Sequence, residues 1–223
     1  MAPLAFAAGL AQGANVLRET GNRVVRIPEI AGSLAGSRGL RKLRIRVAIL
    51  RDEQGTPVAT PEQVEPSLAE ARRVLRETLA IDLLPAAPPL VRTIDGPAPP
   101  AALDSPCAEG SYRADFGDGG AFFRRHRERG GVTGSGSPIT VFVVRDVLGK
   151  AGCSLGPLVD YVTVDMTALK GRRLRVLAHE LGHACGLPHS SAPENLMLPS
   201  RMGDGLQPWQ VAVFRSSRHV TAR

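Results

Sequence analysis

The eleven residues 179–189, HELGHACGLPH, constrain this chain more than any other segment. His179 and His183 stand four positions apart, so on a helix both imidazoles leave the same face, one turn above the other. Gly186 can adopt the left-handed conformation that ends a helix, which residues with a side chain resist. If the helix continued without a break, His189 would point to a different side of the helix from His179 and His183. The segment therefore predicts a helix that stops near Gly186 and a chain that turns back, bringing His189 beside the other two histidines.

Three imidazoles and one carboxylate in this arrangement predict a catalytic metal site. Histidine nitrogens are ordinary zinc ligands, and a site with three protein ligands keeps one position open, whereas a structural site usually has four. Zinc lowers the pKa of a water in the open position toward about 7. Glu180, next to His179, can hold that water and accept its proton. The expected metal ligands are His179, His183 and His189, and the expected catalytic residue is Glu180.

The spacing HExxHxxGxxH resembles the signature of the metzincin clan of zinc metallopeptidases. That clan carries a tight turn with a buried methionine beneath the zinc. Met197, eight residues beyond His189 and close to turn-forming residues, resembles that methionine, with Met202 as the weaker alternative. A thioether can pack under imidazole rings without binding the metal. Some families of the clan have a tyrosine two residues after the methionine, where this chain has Pro199.

The resemblance implies a zinc-dependent metalloendopeptidase that hydrolyses peptide bonds in a protein or peptide substrate, with Zn²⁺ as its cofactor. Glu180 would act as general base and then general acid, while Gly186 and Met197 would support the site structurally. The substrate would lie extended along an edge strand, expected within residues 151–158. Residues 198–206 would wall the pocket beyond the scissile bond.

Two other functions remain open at this point. The first is a non-hydrolytic, zinc-containing module that only binds peptides, although such a module has no need of Glu180. The second is a basic surface-binding protein with a structural zinc, which would require a fourth ligand. His219 and Asp204 are the nearest candidates for that ligand.

Composition limits the partners that we expect. The 223 residues are 43% hydrophobic, with a net charge of +7 and only 4% aromatic residues. No basic run alternates with aromatic residues, so we expect no nucleic-acid partner, and the densest basic cluster, 124–129, is interpreted as a solvated loop. No apolar stretch reaches the length of a membrane span. We expect a monomer, and the family resemblance favours an extracellular or cell-envelope location.

The three cysteines, Cys107, Cys153 and Cys185, cannot all pair within the chain. One disulfide can form, and the sequence does not say which. Cys185 is expected to face the core because its helix position differs from that of the histidines. Some metzincins are kept latent by a cysteine thiolate on the zinc, but Cys107 lies inside the expected domain, so we do not expect that role for it.

The resemblance implies an α+β fold: a metzincin-like catalytic domain with a twisted mixed sheet, a helix in its N-terminal half, a zinc-bearing active-site helix and a C-terminal helix. We expect this domain over residues 40–223 and an N-terminal extension (a tail, a pro-segment or a degenerate signal) over residues 1–39. Residues 95–137 have the composition of a long loop. Periodicity predicts strands over 42–50, 90–94, 138–144 and 159–165, and helices over 60–80, 172–185 and 207–218.

Overall fold

The computed structural model describes residues 39–107, 113–128, 136–200 and 202–222. The extension expected over residues 1–39 therefore lies outside the described residues, except for Gly39. The fold is α+β, as expected, and is built on one mixed sheet. Its strands, in chain order, are β1 (Arg41–Ile49), β2 (Ile81–Pro85), β3 (Val91–Thr93), β5 (Ile139–Val144), β7 (Gly152–Ser154), β8 (Tyr161–Asp165) and β9 (Val220–Ala222), while β4 (Asp104–Pro106) and β6 (Asp146–Leu148) form a separate pair.

The strand order β2-β1-β5-β8-β7 places β7 at the edge of the sheet, within the residues where an edge was expected. The pairs β1–β2, β1–β5 and β5–β8 are parallel, and β7 runs antiparallel to β8. β3 runs parallel to the second half of β1, and β9 pairs with the first half in the antiparallel sense. The antiparallel edge strand leaves a row of backbone groups available for another extended chain.

The helices are α1 (Pro61–Leu79), α2 (Pro100–Leu103), α3 (Arg113–Phe116), α4 (Asp118–His126), α5 (Val176–Ala184) and α6 (Pro208–Arg215). A capping box begins α1: the Thr60 hydroxyl accepts from the backbone N–H of Gln63, and the Gln63 side chain accepts from that of Thr60 at 2.8 Å. Ala80 ends the helix in a left-handed conformation, with φ of 52°. This single residue connects α1 to β2, a strand that the sequence pattern did not predict.

Side chains on the two faces of the sheet form two apolar layers. On one face, Leu43, Ile45 and Val47 of β1 pack with α1 and α5. On the other face, Ala48 packs with Phe142 of β5 and with residues of α2 and α4. All six residues of β5 are buried, which is typical of a central strand covered on both sides.

The prediction of a long loop over residues 95–137 is wrong, because the described part of this segment contains α2, β4, α3 and α4. Phe123 of α4 anchors this layer: its ring centroid lies 4.8 Å from that of Phe142 and 5.1 Å from that of Tyr161. The basic cluster is likewise not a solvated loop. Arg124 pairs with Asp115 at 3.0 Å, Arg127 pairs with Asp160, and the neighbouring Glu128 pairs with Arg46 at 2.7 Å. These segments were predicted as loops because they are rich in turn-forming residues, but packing against distant parts of the chain stabilises them as helices and a strand.

The remaining predicted helices are shorter than their patterns suggested. Residues 171–173 form a turn of 3₁₀-helix, and α5 begins only at Val176. α6 spans Pro208–Arg215 rather than 207–218. Each helix within the described ranges is too short or too polar to span a bilayer.

Candidate active site

Helix α5 carries the first two histidines and the glutamate into the interior of the protein. The exposed fractions of His179 and Glu180 are 3% and 5%, and His183 is half-buried. Val176, Leu177 and Leu181 on the same helix pack into the core with α1 and the sheet. The helix is therefore rigidly held, and its position sets those of the imidazoles.

The helix ends at Gly186 as its sequence predicted. Gly186 has φ of +93°, in the left-handed region that glycine adopts without strain. Its N–H donates to the His183 carbonyl at 2.9 Å, and the N–H of Leu187 donates to the Gly182 carbonyl at 2.9 Å. These two bonds form the Schellman arrangement that satisfies the last carbonyls of a helix while reversing the chain. The reversal carries His189 back toward α5.

The three predicted histidines converge. One nitrogen from each of His179, His183 and His189 can be chosen so that the three atoms lie within 4.8 Å of one another. Ring centroids are 4.7 Å apart for His179 and His183, 4.6 Å for His183 and His189, and 5.4 Å for His179 and His189. Among the described residues, this is the one group of at least three His, Cys, Asp or Glu side chains that could hold a metal ion.

Backbone carbonyls orient two of the rings. His179 Nδ1 lies 2.8 Å from the Leu196 carbonyl oxygen, and His183 Nδ1 lies 2.7 Å from that of Leu187. A carbonyl oxygen only accepts, so each Nδ1 carries the proton and donates. With Nδ1 engaged in this way, Nε2 is the nitrogen of each ring that can bind a metal ion.

The two Nε2 atoms test whether a metal ion fits. They lie 3.1 Å apart, a separation that either a shared proton or a cation bound by both nitrogens can hold. Nitrogens bound tetrahedrally at about 2.0–2.1 Å from zinc lie about 3.3 Å apart, close to the separation of His179 and His183. The donor set therefore fits a zinc-sized ion.

Met197 lies beneath the histidine-bearing helix and is fully buried. A Cβ built on Gly182 would stand 2.6 Å from the Met197 Sδ atom, so the sulfur occupies the space beside that glycine. The Met197 carbonyl also accepts from the N–H of Ser190, next to His189, at 2.9 Å. The methionine thus contacts α5 and is bonded to the segment of the third histidine. Gly182 was not singled out from sequence, although its position inside the HExxH segment was an available signal.

The turn around Met197 is held by a polar network that is buried or partly buried. The Asn195 side-chain oxygen accepts from the Met197 N–H at 2.9 Å, and its amide donates to Gln210 of α6 at 2.8 Å. Glu194 has a left-handed φ of 58°, and its carbonyl lies so close to Gly203 that a Cβ there would stand 1.9 Å from the oxygen. These contacts hold Leu196, whose carbonyl orients His179. Asn195 and Gln210 were not singled out from sequence.

Glu180 faces the edge strand. A Cβ added to Gly152 would stand 2.8 Å from Glu180 Cγ and 2.9 Å from Glu180 Oε1. Only a glycine leaves room for the carboxylate side chain at this point of β7. Histidines, glutamate and edge strand together line an open cleft of about 870 Å³, with Pro199 and Met202 on its wall.

The structure pairs Cys107 with Cys153, which decides the pairing that the sequence left open. Cys107 therefore has no thiolate to offer to a metal. The bond ties β7, beside the cleft, to the end of β4. Cys185 is the cysteine left as a free thiol, and it is buried in the core as expected; burial raises its pKa to about 12, so it stays neutral.

Neither candidate for a fourth ligand joins the triad. The Asp204 carboxylate pairs with Arg73 of α1 at 3.1 Å. His219 is buried elsewhere, with Nδ1 donating to the Ser137 carbonyl at 2.8 Å. Desolvation, followed by repulsion from Arg218, lowers the pKa of His219 to about 4, so the ring is neutral near pH 7.

Comparison with known proteins gives one family match. The family model described as Matrixin matches residues 161–206, which include the three histidines, Glu180 and Met197. No curated protein matches the chain.

Two solved structures are similar to this chain at low identity. Metalloproteinase-II from Bacteroides fragilis is 11% identical with a TM-score of 0.44, and the match covers 80% of this chain and 56% of that one. A zinc-dependent peptidase from Methanocorpusculum labreanum is 17% identical with a TM-score of 0.44, covering 76% and 99%. The histidine triad and the Matrixin match over the same segment make this chain metzincin-like, similar to the zinc metallopeptidases of that clan.

Proposed function

We propose that this protein is a zinc-dependent endopeptidase that hydrolyses peptide bonds within protein or peptide substrates. The observation that carries the proposal is the convergence of three imidazoles beside a buried carboxylate on the wall of an open cleft. The Matrixin match over residues 161–206 supports it.

His179, His183 and His189 would hold the zinc ion. When bound, zinc supplies Lewis-acid chemistry, lowering the pKa of a water and polarising the carbonyl to be cleaved. The carbonyls of Leu196 and Leu187 keep two of the imidazoles in the tautomer that can bind it.

Glu180 is the residue that we assign to proton transfer. It would accept the proton of the attacking water and then deliver it to the leaving amine. Its burial and its contact with Gly152 hold the carboxylate in one place on the cleft wall, where proximity favours the transfer. Pro199 occupies the position of the tyrosine found in some metzincins, so no phenol assists from there.

The substrate would bind along β7 as an additional strand, since an exposed sheet edge offers backbone donors and acceptors to an extended peptide. The cleft runs along this strand. Residues 198–206 would form the wall beyond the scissile bond, and the presence of Pro199 and Met202 in the lining supports that assignment.

Glu180 to alanine is the experiment that tests the proposal. We expect peptide hydrolysis to fall by at least about 10²–10⁴-fold while the metal content stays at that of wild type, because the carboxylate transfers protons and does not hold zinc. Glu65 to alanine, at an exposed glutamate of α1, is the matched control. Cleavage that survives in the Glu180 variant would overturn the mechanism, and metal retention without any cleavage by wild type would favour the peptide-binding module instead.

We also propose that the protein is monomeric and acts outside the cytoplasm, at the cell envelope or in the medium. The Cys107–Cys153 disulfide supports that location, because such bonds persist in oxidising compartments. Fractionation of the source cells, with thiol labelling before and after reduction, tests it.

A further inference from the structure

A second cavity, of about 270 Å³, lies on the face of the sheet opposite α5. Val162 and Val164 of β8 point toward α5, whereas Tyr161 and Thr163 point the other way and line the cavity. The exposed residues Ala101 and Asp118 border it, so it is reached from solvent. Its volume lies just below the range of about 300–1,000 Å³ typical of small-molecule sites, which suits a single side chain better than a whole ligand.

The cavity and the cleft share two residues of the edge segment. Cys153 and Leu155 line both. Side chains alternate along a strand, so Gly152 meets Glu180 on one face while Cys153 lies on the other. A peptide paired with β7 alternates in the same way, and every second side chain would point toward the face that holds the cavity.

Thr163 is one of the polar residues that line the cavity, with Ser105 and Asp118. The exposed fraction of Thr163 is 2%, and its Oγ1 atom has no hydrogen-bond partner within the part of the chain that the structure describes. A buried hydroxyl without a partner is uncommon. The aromatic rings of Phe123 and Tyr161, with centroids 5.1 Å apart, supply apolar wall around it. The lining therefore suits a flat apolar group that ends in a hydrogen-bonding atom.

We infer that this cavity binds the side chain of one substrate residue on the amino-terminal side of the scissile bond and prefers tyrosine there. The inference rests on the proposed peptidase function. Pro199 and Met202 are assigned to the pocket beyond the scissile bond. They line the same part of the cleft as residues 149–151, which come just before β7. The cavity lies beside Cys153 and Leu155, at the other end of the strand. The phenol of the substrate tyrosine would bond to Thr163, and its ring would lie against the aromatic wall.

The test uses the zinc-loaded full chain and peptides that carry Tyr, Phe or Ala at each position before the cleaved bond. At one position we expect kcat/KM to follow the order Tyr, Phe, Ala. Thr163→Val removes the hydroxyl at nearly constant shape, so the advantage of Tyr over Phe, about three- to tenfold for one hydrogen bond, should vanish while both stay above Ala. Dissociation constants of the same peptides for the Glu180→Ala protein should follow the wild-type order.

A second variant keeps the inference falsifiable if Thr163→Val folds poorly. Ala101→Leu, on the exposed rim of the cavity, should lower kcat/KM for Tyr and Phe toward that for Ala. Ala121→Leu, at an exposed position of α4 outside the lining, is the control and should leave the order unchanged. An order unaltered by Ala101→Leu, or a wild type that cleaves without preference at these positions, would overturn the cavity's role alone. A wild type that cleaves nothing would overturn the peptidase proposal and this inference with it.

Discussion

Gly152 of the edge strand lies against Glu180 of the active-site helix, so closely that a Cβ on the glycine would stand 2.8 Å from the glutamate Cγ. The backbone at Gly152 is not in the left-handed region, so space and not conformation requires the glycine. The edge strand β7, which would bind the substrate, is therefore in direct contact with Glu180, which would transfer the proton of the attacking water.

Gly152→Ala should displace the Glu180 carboxylate without removing it. We expect kcat/KM for peptide hydrolysis to fall about 10–100-fold, because a misplacement of about 1 Å costs up to that much in catalysis. Zinc content should remain close to that of wild type, while the new Cβ, 2.9 Å from Val176 Cγ1 in the core, should lower the free energy of unfolding by about 1–3 kcal/mol. Gly39→Ala is the control, since nothing lies within 4 Å of a Cβ there. Equal activity of the two variants would show that the contact does not position Glu180.

Gly182→Ala tests the packing of Met197 beneath the site. In an unobstructed helix, alanine is favoured over glycine by about 1 kcal/mol. Here the new Cβ would stand 2.6 Å from the methionine sulfur, so we expect the opposite sign: a loss of about 1–3 kcal/mol in the free energy of unfolding and weaker zinc binding. Urea unfolding with and without zinc measures both effects. Stabilisation by this substitution would contradict the assigned packing.

Removal of metal should lower the thermal stability of the protein. A bound cation would link the Nε2 atoms of His179 and His183, which lie 3.1 Å apart. At a zinc concentration of 100 times Kd, binding stabilises the folded state by about 2.7 kcal/mol. A chelator should therefore lower Tm, and added zinc should restore it. The Tm of His189→Ala should rise less on addition of zinc than that of wild type. A wild-type Tm that does not change with zinc would argue against the triad as a metal site.

The ionisation of Glu70 should make the free energy of unfolding depend on pH. Glu70 lies on α1 and bonds to Arg175, which in turn bonds to Met202 beyond the Met197 turn. Hydrogen bonds from Arg73, and then from Arg175, lower its pKa from 4.5 to about 2, and Arg175 also donates to the Met202 carbonyl at 3.1 Å. A carboxyl whose folded pKa is depressed contributes stability that is complete above its unfolded pKa and is lost as pH falls through the folded pKa.

Glu70→Gln should therefore be less stable than wild type by about 1 kcal/mol near pH 7, a value kept small because the pair is partly solvated. The difference should shrink as pH falls from about 4.5 toward 2. Denaturant unfolding at several pH values measures it, with Glu65→Gln, at a more exposed ion pair, as the control. A difference that is constant with pH would show that ionisation of Glu70 is not its source.

Local patterns predicted the elements that local physics controls. The helix predicted over 60–80, the strand predicted over 138–144 and the helix end near Gly186 depend on hydrogen bonds and backbone conformations within a few residues. Segments that depend on distant partners escaped prediction. The helix α4 is held by the contact of Phe123 with Phe142, nineteen positions away, and no local pattern reports such a contact.

The sequence alone determined which residues could bind a metal and why the chain must turn between them, because 3.6 residues per helical turn and the freedom of glycine are properties of short segments. Only the tertiary structure decided what surrounds those residues. The fit of Gly152 against Glu180, of Gly182 over Met197, and the choice of Cys107 as the partner of Cys153 join parts of the chain that are distant in sequence. Close packing in three dimensions selects such neighbours, and spacing along the chain does not encode them.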